Sequence, residues 1–374
     1  MHFLTSILPS ICVLGVLIII HELGHFIACR LTKVDVEKFS IGFGPEIFHW
    51  QGKKTRYALS LLPLGGFVKP AGESWSEVDE KQGPKKGDYL AAPLYSRILI
   101  VVAGVMMNYL LAFFLFAVIF MMGRPVPGTV VAGLVEGYPA KASGLKVGHE
   151  ILEINGKKVE TWPELLSELD SVSVGEMDLK IQERMSDGTK AAPEIFKIAP
   201  KVDETKDVFG NIVRVKRLGI IPSPQSNKIE KYGFKDAFGK AWDTTLNLTI
   251  LTHKAIIYLF MGKLSLNTLS GPIGIISMTG DAVKLGIPYL LQLTANLSIS
   301  LAVINLFPIP ALDGGHLFFL LIEWVTRRRV SLAFQEKATQ IGFAFLLVFM
   351  GFAIFNDLNN LQLFSKIRGI LPGN

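Results

Sequence analysis

Ile18-Ile19-Ile20-His21-Glu22-Leu23-Gly24-His25-Phe26 sets two imidazoles and a carboxylate into a run that is otherwise as apolar as a bilayer interior. On a helix, residues four apart share a face, so His21 and His25 point the same way. That spacing lets one nitrogen from each reach a single zinc ion. Glu22, beside the first of them, is placed to hold the attacking water and take its proton. On a soluble helix the same pattern arises by chance, with solvated side chains and no metal. Here the flanks are apolar, and ionisable groups at membrane depth are too costly to be idle. The stretch therefore reads as a metal site inside a membrane helix.

The rest of the composition agrees. Of 374 residues, 50% are hydrophobic, and the mean hydropathy is +0.40, above what a soluble domain of this size carries. The net charge of +6 is modest and its basic residues are scattered, which argues against nucleic acid as a partner. Cys12 and Cys29 both lie in the first apolar segment and read as small packing residues. Met1–Ser6 contains no Lys or Arg, and cleavage after this segment would remove the metal site, so the N-terminus is expected to be a retained helix and not a signal peptide.

Four segments are long enough to cross a bilayer: Leu4–Leu31, Ile98–Met122, Tyr289–Leu312 and Ile341–Phe355. The expected fold is thus a polytopic α-helical membrane protein with four transmembrane helices. Arg30 and Lys33 follow the first span, Arg97 precedes the second, and Arg327-Arg328-Arg329 separates the third from the fourth. These short basic connections are expected on the cytoplasmic side, with both termini and the long 123–288 region outside and the metal site near the cytoplasmic face.

The chain then sorts into four parts. Residues 1–122 carry the first two spans and the segment between them, where Val34-Asp35-Val36-Glu37-Lys38-Phe39 and Tyr57-Ala58-Leu59-Ser60-Leu61 alternate in polarity around the turn Gly42-Phe43-Gly44-Pro45. Such runs bounded by Gly and Pro read as a β-hairpin sheet. The apolar Leu61-Leu62-Pro63-Leu64-Gly65-Gly66-Phe67-Val68 is expected to dip toward the metal, where an exposed edge can take an unwound substrate by strand addition. Gly42, Phe43, Gly44, Leu61, Gly65 and Gly66 are its candidate substrate contacts; a purely structural hairpin is the alternative. Residues 123–222 form a separate domain. Its block Gly144-Leu145-Lys146-Val147-Gly148-His149-Glu150-Ile151-Leu152-Glu153-Ile154-Asn155-Gly156 resembles a PDZ domain, with His149 where Asp is usual. That resemblance implies either binding of a peptide C-terminus in a strand-edge groove or steric gating. Residues 223–288 include Phe234, Phe238, Trp242, Leu246 and Ile250, spaced as an amphipathic helix that lies on membrane lipid or packs on the core. Residues 289–374 hold the last two spans.

A catalytic zinc takes three protein ligands and leaves one position open. The third candidate is Asp313, in Asn305-Leu306-Phe307-Pro308-Ile309-Pro310-Ala311-Leu312-Asp313-Gly314-Gly315, at the inner end of a span running the same way as the first. Its two prolines break the helix and free backbone groups for a polar site; Pro308 is a candidate substrate contact. Asn305 is an amide in an apolar span that either binds a substrate backbone or joins two helices. His316 is a competing ligand.

The His-Glu-x-x-His of span one and the Asn-x-x-Pro-x-x-x-x-Asp-Gly of span three together resemble the site-2 protease family of intramembrane zinc metalloproteases. Phe39-Ser40-Ile41-Gly42-Phe43-Gly44-Pro45, Gly104-x-x-x-Asn108, the PDZ-like insert and Ser270-Gly271-Pro272-Ile273 are similar to its bacterial regulator-of-sigma-E branch, here with a single PDZ domain. The resemblance implies a multi-pass protein of the bacterial inner membrane that cleaves transmembrane segments of single-span proteins. Its implied substrates are anti-sigma factors already trimmed outside the membrane, and remnant signal peptides. It implies His21, His25 and Asp313 as zinc ligands, Glu22 as general base and Asn305 in substrate binding. The rival expectation is a non-catalytic membrane scaffold with a PDZ module and a structural zinc.

Overall fold

The computed structural model describes residues 2–73, 83–172, 175–183, 191–207, 209–223, 226–265 and 270–360. Helix α1 (His2–Leu31) is followed by strands β1 (Val36–Gln51) and β2 (Arg56–Pro70), then α2 (Leu94–Met122). Next come β3 (Arg124–Pro127), β4 (Val131–Leu134), α3 (Pro139–Ala142), β5 (His149–Ile154), β6 (Lys157–Lys158), α4 (Trp162–Ser171), β7 (Met177–Glu183), β8 (Glu194–Ile198), β9 (Lys201–Lys206), β10 (Ile212–Arg217), β11 (Ile220–Pro222) and β12 (Asn227–Glu230). The chain closes with α5 (Phe234–Phe260), α6 (Pro272–Leu285), α7 (Ile287–Leu306), α8 (Asp313–Thr326) and α9 (Leu332–Asn360).

Two compact units result, one of Met1–Ile119 with Phe238–Asn374 and one of Phe120–Ala237. Among the described residues, four helices are long and apolar enough to cross a membrane: Ser6–Leu31, Leu94–Met122, Ile287–Leu306 and Ala333–Asn359. They leave large apolar side chains uncovered, among them Leu110 and Phe114 on α2 and Ile341, Phe343 and Val348 on α9. Such faces belong against lipid. The third span is shorter than the sequence suggests. It ends at Leu306, not Leu312, because Pro308 and Pro310 cannot continue the helical hydrogen bonds. Asp313 opens a separate helix, α8.

Strands β1 and β2 each bend, and their halves interleave. Gly42 and Gly44 (both at φ +88°) turn β1, and Gly65 (φ +142°) turns β2; these backbone angles suit glycine alone. Ser40 therefore pairs with Ala58 on one side and Phe67 on the other, while Trp50 pairs with Tyr57. Residues 66–70 form one edge ribbon and residues 46–51 the other, and the sheet packs on α1. Cys29 packs with Val34, Val36 and Ile100 in a small core at the foot of α1.

The second unit centres on a four-stranded sheet in the order β6-β5-β7-β8, with α4 packing Leu165 and Leu169 into its core against Ile151, Leu179 and Ile181. Asn155 and Gly156 take left-handed angles between β5 and β6, the Asn-Gly turn that suits a tight hairpin. His149 is buried, and its Nδ1 accepts the Lys146 N–H at 3.2 Å, a task open to an aspartate at the same turn. Thr161 and Glu164 cap α4 reciprocally.

Candidate metal centre

The apolar run Leu17–Ile20 carries α1 through the site without a break, so His21 and His25 fall one turn apart, His21 buried and His25 partly so, with their rings edge-on at 84°. Asp313 reaches them because of the two glycines that follow it. A Cβ at Gly314 would lie 2.2 Å from the Phe307 carbonyl oxygen, and one at Gly315 would lie 2.4 Å from the Pro310 Cα. Only glycine lets the 307–312 segment fold back this tightly on the start of α8.

The resulting distances are short on all three sides. His21 Nε2 and His25 Nε2 are 3.2 Å apart, and Asp313 Oδ2 lies 3.0 Å from the first and 3.4 Å from the second. Donors held about 2.0–2.1 Å from a tetrahedral zinc are separated by about 3.3–3.4 Å, so the three atoms already form one face of such a shell. Asp313 Oδ2 is buried without a hydrogen bond, the expected condition of an oxygen whose partner is a cation. The donor set fits zinc. Among the described residues, these are the three His, Cys, Asp or Glu side chains that converge in this way; His316 lines the adjoining cavity but is not one of them.

Helix α2 backs the imidazoles. His25 Nδ1 donates to the Ile100 carbonyl at 2.8 Å, which leaves the lone pair of Nε2 facing His21 and Asp313. Gly104 makes room for that ring, since a Cβ there would sit 2.3 Å from His25 Nε2. Gly24 does the same in reverse, where a Cβ would sit 2.3 Å from the Ala103 carbonyl. Asn108, wholly buried, places its side-chain amide 3.3 Å from His21 Nδ1.

Glu22, His25, Asp313, Val68, Arg97 and His316 help line a cavity of about 530 Å³. Val68 N–H donates to Glu22 Oε2 at 3.1 Å, tying the carboxylate to the 66–70 ribbon of the sheet. Gly66 keeps that ribbon close: a Cβ would lie 2.8 Å from the Ser40 carbonyl and 3.4 Å from Glu22 Cγ. In the same lining, Arg97 forms a two-pronged pair with Glu323 at 3.0 and 2.6 Å.

Of the sequence-proposed substrate contacts, Asn305 comes nearest the centre, its buried Nδ2 3.5 Å from His21 Nε2. Gly66 lies beside Glu22, Gly65 at the β2 bend just before it, Gly42 and Gly44 at the β1 bend, and Leu61 on an exposed position of β2. The Phe43 side chain lies outside the described residues. Pro308 is not brought to the centre; it lines a separate apolar groove with Ile341 and Phe345 of α9. The contacts of Ile100, Gly104, Asn108 and Val68 do not follow from the sequence reading. Ile100 and Val68 act through backbone atoms, which leave no side-chain signal, whereas the buried Asn108 in an apolar span was a visible cue.

The chain is similar in sequence to known proteins over most of its length. A model of peptidase family M50 matches residues 9–349. A protein named as a candidate zinc metalloprotease from Rhizobium meliloti is 34% identical over 92% of this chain and 94% of its own length. Similarly named proteins from Campylobacter jejuni (34% identical, 95% of this chain, 93% of theirs) and Fusobacterium nucleatum (34%, 94% and 98%) match as fully. A match of this extent, around a donor set shaped for zinc in a bundle of apolar helices, means that the chain belongs to peptidase family M50, whose metal is zinc.

Proposed function

We propose that this peptidase hydrolyses peptide bonds within the transmembrane segments of single-span proteins. The carrying observation is the convergence of His21, His25 and Asp313 at 3.0–3.4 Å beside a Glu22-lined cavity, in a unit built from apolar helices. His21, His25 and Asp313 hold the zinc, which when bound supplies a Lewis acid that acidifies water and polarises a carbonyl. Glu22, steered by Val68 N–H, accepts the proton of the attacking water and returns one to the leaving amine. Asn305 Nδ2 offers a donor to the substrate backbone. A helical substrate hides its carbonyls, so it unwinds first, and the Gly66–Pro70 edge offers replacement hydrogen bonds.

On this reading the protein is a multi-pass component of the bacterial inner membrane, in the regulator-of-sigma-E branch of site-2 proteases. Its substrates are anti-sigma-factor-type proteins after a first outer cut, and leftover signal peptides. The PDZ-like block in 123–222 screens substrates by their outer domains. The test uses purified protein in detergent with a single-span substrate, with and without a large outer domain. Cleavage that stops when a chelator removes the metal, returns with zinc, and favours the trimmed substrate supports the reading. Bound zinc without cleavage of either form overturns it.

A further inference from the structure

Three groups on one face of α2, spaced four residues apart, meet the two imidazoles: the Ile100 carbonyl, the bare Cα of Gly104 and the side chain of Asn108. The first fixes the tautomer of His25. Asn108 sits where it can do the same for His21. It is 0% exposed, its backbone carbonyl accepts the Ser298 hydroxyl at 2.8 Å, and its side-chain amide nitrogen lies 3.3 Å from His21 Nδ1. Its Oδ1 is buried with no partner.

The two ends of an amide have the same shape, so hydrogen-bonding chemistry assigns them. With Nδ2 toward the ring, an N–H donates to Nδ1, a neutral His21 carries its proton on Nε2, and that nitrogen has no lone pair for a metal. Oδ1 then stays orphaned. With Oδ1 toward the ring, it accepts Nδ1–H and the Nε2 lone pair faces Asp313; the amide N–H groups then take the unpartnered place, so what favours this orientation is the lone pair that it leaves on Nε2 for a metal. We propose that Asn108 is a positioning residue that selects the Nδ1–H tautomer of His21 and fixes its ring for metal binding. This rests on the reading of His21 as a ligand.

The test measures zinc affinity of the full chain in detergent by competition with a chelator, for wild type, N108L, N108D and H21A. Melting of the metal-free proteins is followed in parallel. Leucine keeps the volume and removes the acceptor; aspartate accepts from Nδ1–H but donates nothing when ionised. N108L is expected to weaken zinc binding about 10–100-fold with little change in metal-free melting, and N108D to restore it to within a few-fold of wild type. Wild-type affinity in N108L, or N108D as weak as N108L, overturns the proposal. Should N108L fail to fold, N108D against wild type decides, a tenfold or greater loss being the contrary result. Wild-type affinity in H21A overturns the ligand reading itself, whereas a loss in H21A with none in N108L overturns only the role of Asn108.

Discussion

Gly104→Ala adds one methyl group at the most crowded point of the centre. The new Cβ would stand 2.3 Å from His25 Nε2, 2.5 Å from Cε1 and 2.9 Å from Cδ2. Ordinary contact needs about 3.5 Å or more, so the ring must retreat by about 1.2 Å or more. Metal–ligand distances tolerate only about 0.2 Å. The variant is therefore expected to lose zinc affinity by more than about 100-fold, beyond the 10–100-fold typical of outer partners. Global stability responds far less. Overpacking costs about 1–3 kcal/mol, and the gain of alanine over glycine in a helix offsets about 0.8–1.0 kcal/mol of it. The assay pairs chelator competition with melting of metal-free protein, and Gly15→Ala, with nothing within 4 Å of its added Cβ, is the control. Gly104→Ala binding zinc as tightly as wild type would refute the placement of His25 by α2.

Gly66→Ala should separate chemistry from metal binding. Its Cβ meets the Ser40 carbonyl at 2.8 Å, so the 66–70 ribbon shifts and the Val68–Glu22 bond loosens; cleavage should fall about tenfold or more, as expected for a mispositioned general base, with zinc content unchanged. Asp357, buried on α9, accepts the backbone N–H groups of Gly271 and Gly274 at 2.9 Å each. Asp357→Ala should cost about 1–2 kcal/mol, as loss of a helix cap does, read as a lower melting temperature at unaltered zinc affinity. Glu46 is held to about 2 by its hydrogen bonds to Arg56 and Lys38. Because its folded pKa is depressed, its contribution is present above pH 4.5 and disappears as pH falls toward 2. The melting-temperature gap between wild type and Glu46→Gln should therefore close over that window.

Much of the centre was legible in the chain because periodicity is a local property. The four-residue gap between His21 and His25 and the apolar flanks need only helix geometry to be read, and the four spans follow from hydropathy. Asp313 stands out as an acid beside a proline-broken span, although prolines also end that span six residues earlier than its apolar run suggests. What escaped the sequence depends on which helices touch. Nothing in Ile100 announces that its carbonyl meets an imidazole 75 residues away. Gly104 is picked out by the motif it shares with Asn108, but the motif does not say that it makes room for the His25 ring. The folding of residues 56–59 and 66–70 onto opposite sides of residues 38–41 also comes from long-range register, which alternation within each strand does not encode.

The most direct test of the account compares wild type with Glu22→Gln in one preparation, measuring zinc content and cleavage of a trimmed single-span substrate together. Glutamine keeps the shape of the side chain and its place beside Val68 but cannot accept a proton. Zinc near one per chain in both proteins, with cleavage by wild type alone, is the predicted result. Equal cleavage by the two proteins would contradict the role of Glu22 and with it the peptidase centre described above.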